Sequence, residues 1–343
     1  MTDSTRNNCR DQPVPDQVQY APFRILDTPY CAWGWDLRQQ NLQFLDSIDH
    51  QYYDYIARTH IEHLEGEHAP RAATALRAAY LHGLETFFCL LGAAVQAPGC
   101  LAGWVHRAKP YQVRSLVRQI HSQQNPHCRL PVSPVTWHSL AKLVHSNLAK
   151  PEDRKKEIHE AFGRLWEHFA SDFLADLFIA EYNSFKHGFR ARAGGFVLKA
   201  GIEPSYGVSP PESQMQVVGG SEFGASFFVL ERIEGSPVPA KKVDHHFHLT
   251  LQNLNWRPES MLQALQSLSM SVNNLVSFLK IVSGRPGKEQ PFHNPEDLDF
   301  FDRPWQWSVG TPSMRIALSL AEPQIRRFSN DELLDEIAAL NKT

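Results

Sequence analysis

Apolar positions through the first half of the chain recur at helical spacing. Leu42, Leu45, Ile48, Tyr52 and Ile56 step by three or four, which predicts helix from Trp35 to about Glu65. Pro70 opens a second helical stretch that runs to about Gln96 and stops before Pro98-Gly99. Its core, Leu81 to Val95, is apolar apart from His82, Glu85, Thr86 and small residues. Two shorter helices are expected around 110–122 and 134–149. Pro151 then begins the longest pattern, from Glu152 to about Arg192. There Ile158, Phe162, Leu165, Phe169, Phe173 and Leu177 form one stripe, and Gly194-Gly195 reads as its stop signal.

The period changes after residue 194. Short β-branched or aromatic runs (Gly195 to Ala200, Gln214 to Val218, Ala225 to Ile233, Val243 to Leu251) alternate with Gly, Pro and Ser clusters. The last run places Val243, Phe247, Leu249 and Leu251 on one face and Asp244, His246, His248 and Thr250 on the other. A small antiparallel sheet of three or four strands follows from this. Helix resumes after Pro258 with a heptad-like seam of Met261, Leu265, Leu268, Val272, Leu275, Leu279 and Val282. Such a seam packs on the chain's own bundle or on a second copy, and the first is the simpler reading. Residues 285–325 read as irregular, with Trp305-Gln306-Trp307 after Phe300-Phe301 anchoring the C-terminal segment. Asn330 caps a terminal helix, Asp331 to Leu340. The expected fold is mainly α: a helical bundle with a small antiparallel β-sheet insertion. Its parts are a flexible arm (1–20), the bundle (21–193), the β insertion (194–253) and C-terminal helices with an aromatic-rich segment packing on the bundle (254–343).

Composition narrows the function classes. The chain has 343 residues, 42% hydrophobic and 21% charged, enough to bury a sizeable core. A formal charge of -3 gives no overall basic field toward nucleic acid, so any such contact must come from a local patch. Five cysteines without a CxxC pair, and a polar start without an apolar leader, lead to the expectation of reduced thiols and a cytoplasmic location. A membrane span over Leu84–Val105 is set aside because Glu85, Gln96 and Pro98 interrupt it. No GxxxxGK[ST], strand-associated GxGxxG, GxSxG or HExxH is present.

The segment Glu181-Tyr182-Asn183-Ser184-Phe185-Lys186-His187-Gly188-Phe189-Arg190 carries the densest polar chemistry. On a helix Asn183 and His187 share a face, Lys186 borders it, and Arg190 lies one turn further. An Asn amide can orient a His ring, and neighbouring cations favour the neutral base. The same residues would equally serve as a basic C-terminal turn that complements the helix dipole.

This ending, Asn-x-x-x-His after a long helix, resembles the higher eukaryote and prokaryote nucleotide-binding (HEPN) superfamily. Members are helical bundles, many of them metal-independent ribonucleases with Arg-x4–6-His and often Asn directly after the Arg. Asn183 and His187 match, and Tyr182 stands where the family carries Arg. Arg58-Thr59-His60-Ile61-Glu62-His63 satisfies the Arg-x4-His spacing without the Asn. Tyr-Asn-x-x-Lys-His-Gly-x-x-Arg, with Glu85-Thr86-Phe87-Phe88 and Gln96-Ala97-Pro98 upstream, is also similar to a group of bacterial helical proteins without an assigned activity.

The resemblance implies an RNA- or nucleotide-binding protein, with metal-independent ribonuclease as the enzymatic form. His187 would be the general base, Asn183 its orienter, Lys186 a further catalytic group, and Lys186, Arg190 and Arg192 the phosphate contacts. It also implies a site composed by two copies, hence a homodimer, and no cofactor or membrane. The alternative is a non-catalytic interaction or structural protein on the same bundle.

Two further clusters are weaker. His246 and His248 share a strand face with Asp244 and could hold a metal, or simply form a polar face. Glu65 and His68 make one Glu-x-x-His without the second that a di-iron bundle requires. No metal site is expected from either.

Overall fold

In a computed structural model, the structure describes residues 18–188, 190–232, 246–298, 310–314, 324–326 and 329–340. The chain is mainly α, with ten α-helices and nine strands among the described residues. It divides into two compact units, each assembled from separate stretches of sequence.

The first unit comprises residues 1–57, 79–175 and 263–306. It opens on a hairpin of β1 (Gln19–Ile25) and β2 (Thr28–Gly34) that the helical reading did not anticipate. The hairpin is pinned by polar contacts with distant residues. Leu26 N donates to Gln96 Oε1 (3.1 Å), and Trp104 Nε1 donates to Arg24 O (3.1 Å). The stretch expected as one helix from Trp35 is two, α1 (Leu37–Asp46) and α2 (Tyr52–Ile61). Asp36 caps α1 by accepting from Gln39 N.

Three helices carry most of its core: α3 (Ala69–Gln96) from residue 79 on, α7 (Glu152–Leu174), and α9 (Pro258–Val282) from residue 263 on. The short helices α4 (Leu101–Arg107), α5 (Pro110–His121) and α6 (Trp137–Val144) belong to the same unit. Phe87 packs against Trp166 (5.3 Å between ring centroids) and Phe169 (6.1 Å), and Phe88 against Phe173 (4.9 Å). Trp166 Nε1 donates to Ser271 Oγ (3.1 Å), so the buried indole keeps a partner. Of the α9 seam, Leu265, Leu268, Val272, Leu275 and Leu279 are wholly buried and Val282 is 45% exposed. The seam is therefore consumed within the chain rather than left for a second copy. Helix α3 is long and apolar enough to cross a membrane, and 67% of its apolar window is buried in the protein.

The expected helix from Glu152 to Arg192 does not run through. Helix α7 ends at Leu174, and Ala175 adopts an extended conformation (φ -57°, ψ 143°). Arg114 from α5 explains the break. Its guanidinium donates to the carbonyls of Phe173 (2.5 Å), Leu174 (2.5 Å) and Ala175 (3.0 Å), taking the acceptors that a continuing helix would use.

The second unit comprises residues 58–78, 176–262 and 307–343. Helix α8 (Phe178–Lys186) leads into the edge strand β3 (Ala191–Ala193) of a five-stranded sheet. Strand β3 pairs β6 (Gly224–Arg232), which pairs β7 (His246–Trp256); β7 also pairs β8 (Gly310–Met314) and β9 (Gln324–Arg326). All pairings are antiparallel, as expected, but β8 and β9 come from the stretch read as irregular. Three- and five-residue strands, one holding Pro312, carry too few positions to show a period of two.

A separate hairpin, β4 (Val197–Ala200) with β5 (Gln216–Gly220), is exposed at every position. The terminal helix α10 (Asn330–Leu340) is capped by Ser329 rather than Asn330. Ser329 Oγ and Glu332 form the reciprocal pair of a capping box. The Trp305-Gln306-Trp307 cluster, Phe300-Phe301 and residues 1–17 lie outside the described residues.

Candidate functional site

The local sequence of α8 sorts its side chains into two sets. Phe178, Glu181, Tyr182, Ser184 and Phe185 are buried. Asn183 is half-buried, and Lys186, His187, Arg190 and Arg192 are exposed. The buried set fixes the helix. Phe185 packs on Trp256 of β7 (5.9 Å), and Ser184 Oγ bonds back to Ala180 O (2.7 Å).

Glu181, 1% exposed, is the anchor that sequence reasoning missed. Its carboxylate accepts both Arg77 Nε (2.8 Å) and an Arg77 terminal nitrogen (2.6 Å), and also Trp256 Nε1 (3.1 Å). A buried carboxylate needs such a set of donors, because unpaired it would carry the full cost of desolvation. Its signal in the sequence was only a charge on the apolar side of a helix; its Arg partner lies 104 positions away.

The helix stops where its last turn meets Gly188. His187 N donates to Asn183 O (3.0 Å), Gly188 takes φ +85°, and Arg190 N returns to Ser184 O (2.6 Å). This is the left-handed C-terminal ending glycine favours. Gly188, not Gly194-Gly195, is therefore the stop signal. The chain then enters β3, where Ala191 is buried against the sheet and Arg192 projects from the other face.

The predicted residues thus gather at one exposed turn and its adjoining strand. Asn183 and His187 lie one helical turn apart, as expected, but no side-chain hydrogen bond joins them among the described residues. Lys186 Nζ sits over the Tyr182 ring at 5.1 Å from the centroid. Tyr182, where the resemblance would place an Arg, is 8% exposed and packs on Phe178 (6.0 Å). It is a core aromatic, and it leaves that position without a cation. Chemically, the turn presents a His and three cations, all exposed to solvent.

The remaining clusters resolve differently. His246 and His248 lie in β7 opposite Arg326 and Gln324, with Asp244 and His245 outside the described residues. No group of three metal-ligating side chains occurs among the described residues, around His60 to His68 or elsewhere. Cys31, Cys89, Cys100 and Cys128 are outside any disulfide among the described residues, and burial pushes the Cys100 and Cys128 thiols up.

A large perturbation lies in the first unit, at His145. Wholly buried, it is pushed down to about 4 by burial, partly opposed by its hydrogen bond to Ala141 O. Nδ1 donates to that carbonyl (2.8 Å) and Nε2 accepts from Asn274 Nδ2 (3.0 Å), so the ring serves as a neutral structural link.

No family model matches this chain. Searches of curated proteins and of solved structures likewise found no match.

Proposed function

We propose that this chain binds RNA or a nucleotide unit through the turn Lys186–Arg192, on a helical bundle of the HEPN type, and cleaves RNA without a metal ion. The carrying observation is the exposure of Lys186, His187, Arg190 and Arg192 within seven residues, against an acidic net charge for the chain as a whole. Solvated, closely spaced cations at a helix end and strand start are the local basic patch that phosphate contact requires.

In this reading His187 is the general base that takes the 2′-hydroxyl proton; the 2′-oxygen bonds the adjacent phosphorus, the bond from phosphorus to the 5′-oxygen breaks, and the leaving 5′-oxygen takes a proton from water, giving a 2′,3′-cyclic phosphate and a 5′-hydroxyl. Asn183 orients the imidazole once RNA draws it in, since apo contacts of this kind tighten only in the complex. Lys186, Arg190 and Arg192 hold the phosphate.

The test is cleavage of end-labelled RNA in the presence of EDTA by wild type and His187→Ala. Cleavage by wild type alone is the expected result. Equal cleavage by both removes His187 from the mechanism, and no cleavage by either refutes the ribonuclease.

A second reading, a non-catalytic interaction protein on the same bundle, is favoured by one observation: Tyr182 is a buried aromatic where the catalytic Arg of such bundles would stand. In that case the turn binds RNA without cutting it, or serves only to end α8.

A further inference from the structure

The strands that follow the cationic turn present two unlike faces. One carries Ala191, Ala225, Phe227, Leu254 and Trp256, all buried, and receives Phe185 of α8. By the register of the ladder, the opposite face carries Arg192 beside Ser226, Ser226 beside Asn253, and Phe228 beside Leu251. Phe228 is 61% exposed and lies just past the end of β3, paired only with β7 at Leu251. Ser226 Oγ donates to Asn253 Oδ1 (2.6 Å), which holds the Asn253 amide in one orientation with its NH2 available. The face ends where Phe196 exchanges two backbone hydrogen bonds with the Asn255 side chain. Among its described side chains it holds no carboxylate.

We infer that this face is a platform for single-stranded RNA: a base stacks on Phe228, Asn253 reads a base edge, and Arg192 and Arg190 hold the backbone. The inference rests on the RNA-binding reading and gives it a substrate class.

Charge decides the occupant. An apolar protein partner would meet only Phe228 and the half-buried Leu249 and Leu251 here, flanked by Ser226, Asn253 and two exposed arginines. Phosphates answer the arginines and a base answers the ring. Spacing agrees: Ser226 and Phe228 are about 6.8 Å apart along β6, and the step from Arg192 to Phe228 is a diagonal of about 7–8 Å. A strand laid across the sheet can therefore meet ring, amide and guanidinium together. Sheets with exposed aromatics take unstacked bases in this way, whereas an A-form duplex offers no open base face to the ring. The platform begins three residues after His187, so it would lead a bound strand to the proposed base.

The test is binding of a fluorescent oligoribonucleotide of about ten nucleotides, and of the matching blunt duplex, to wild type, Phe228→Ala and Phe228→Tyr. The ring is exposed, so neither change should disturb the fold; Phe228→Thr, suited to a strand, serves if the Ala protein does not fold. Expected is a loss of about five- to hundredfold in single-strand affinity for Phe228→Ala or Phe228→Thr. Phe228→Tyr should keep the affinity, and duplex binding should not change. Wild-type binding that survives loss of the ring overturns the platform and leaves the RNA-binding turn standing. Equal losses for single strand and duplex overturn it too. No oligonucleotide binding by wild type refutes both.

Discussion

His145 makes a prediction whose sign and size follow from its surroundings. The ring is sealed between Phe162 (4.2 Å between centroids) and neighbouring aromatics. Its Nε2 can gain a proton only by turning an N–H toward the NH2 of Asn274. Asn274 cannot flip to offer its oxygen, because that oxygen already accepts His293 N (2.7 Å) and its nitrogen donates to His293 O (2.7 Å). The folded state therefore resists protonation, and the group sits at about 4 against an ordinary 6.5.

A depressed histidine gives the fold its full contribution above pH 6.5 and loses it as pH falls toward 4, because only the unfolded chain takes up the proton easily. The lost contribution is about 3 kcal/mol at pH 4, where the folded ring is half protonated and the unfolded one almost fully. That is a large part of the about 5–15 kcal/mol that holds a domain folded. His145→Gln keeps a donor and an acceptor but cannot titrate. Urea unfolding of wild type and His145→Gln at pH 7.5, 5.5 and 4 should show the wild-type advantage shrinking by about 3 kcal/mol across the series. His50, His60 and His159 are also lowered, burial being the largest cause; His50 and His60 persist in both proteins and cancel in the difference, whereas His159 lies 6.3 Å from His145 between ring centroids and its charge helps to hold His145 neutral. A difference between the two proteins that stays constant from pH 7.5 to 4 would refute the account of the sealed ring.

Two further perturbations address the support of the candidate site. Arg77→Met should destabilise by about 3–5 kcal/mol in urea unfolding, because it strands the buried Glu181 carboxylate; Arg77→Met with Glu181→Leu should recover most of that loss. Gly188→Ala should cost about 1–2 kcal/mol through its left-handed backbone alone, since a Cβ there meets nothing within 4 Å, and Gly188→Asn should cost less. Equal thermal shifts for the Ala and Asn variants would count against that explanation.

Periodicity made the long elements legible. Helix α3 from Ala69 to Gln96 and the α9 seam are visible in the sequence because a stripe repeated over six or seven turns outweighs local noise. What sequence missed is tertiary in origin. The break after Leu174 depends on Arg114, some 60 positions earlier, and no local breaker marks it: the apolar stripe runs on through Leu177. The β1–β2 hairpin has only two strongly buried side chains, Phe23 and Ile25, and takes its place from Gln96 and Trp104. Strands β8 and β9 are too short to declare themselves.

The site divides along the same line. A dense run of polar residue types pointed to Asn183, Lys186, His187 and Arg190, and folding does bring these to one turn. Whether each faces solvent or core was hidden, because that depends on β7, which contributes Trp256, and on Arg77. Tyr182 illustrates the consequence. At a motif position it reads as a lost Arg; in the fold it is a buried aromatic packed on Phe178, and Lys186 lies across its ring. Restoring the family pattern with Tyr182→Arg would therefore set a cation into a buried aromatic slot and cost stability before it could gain activity.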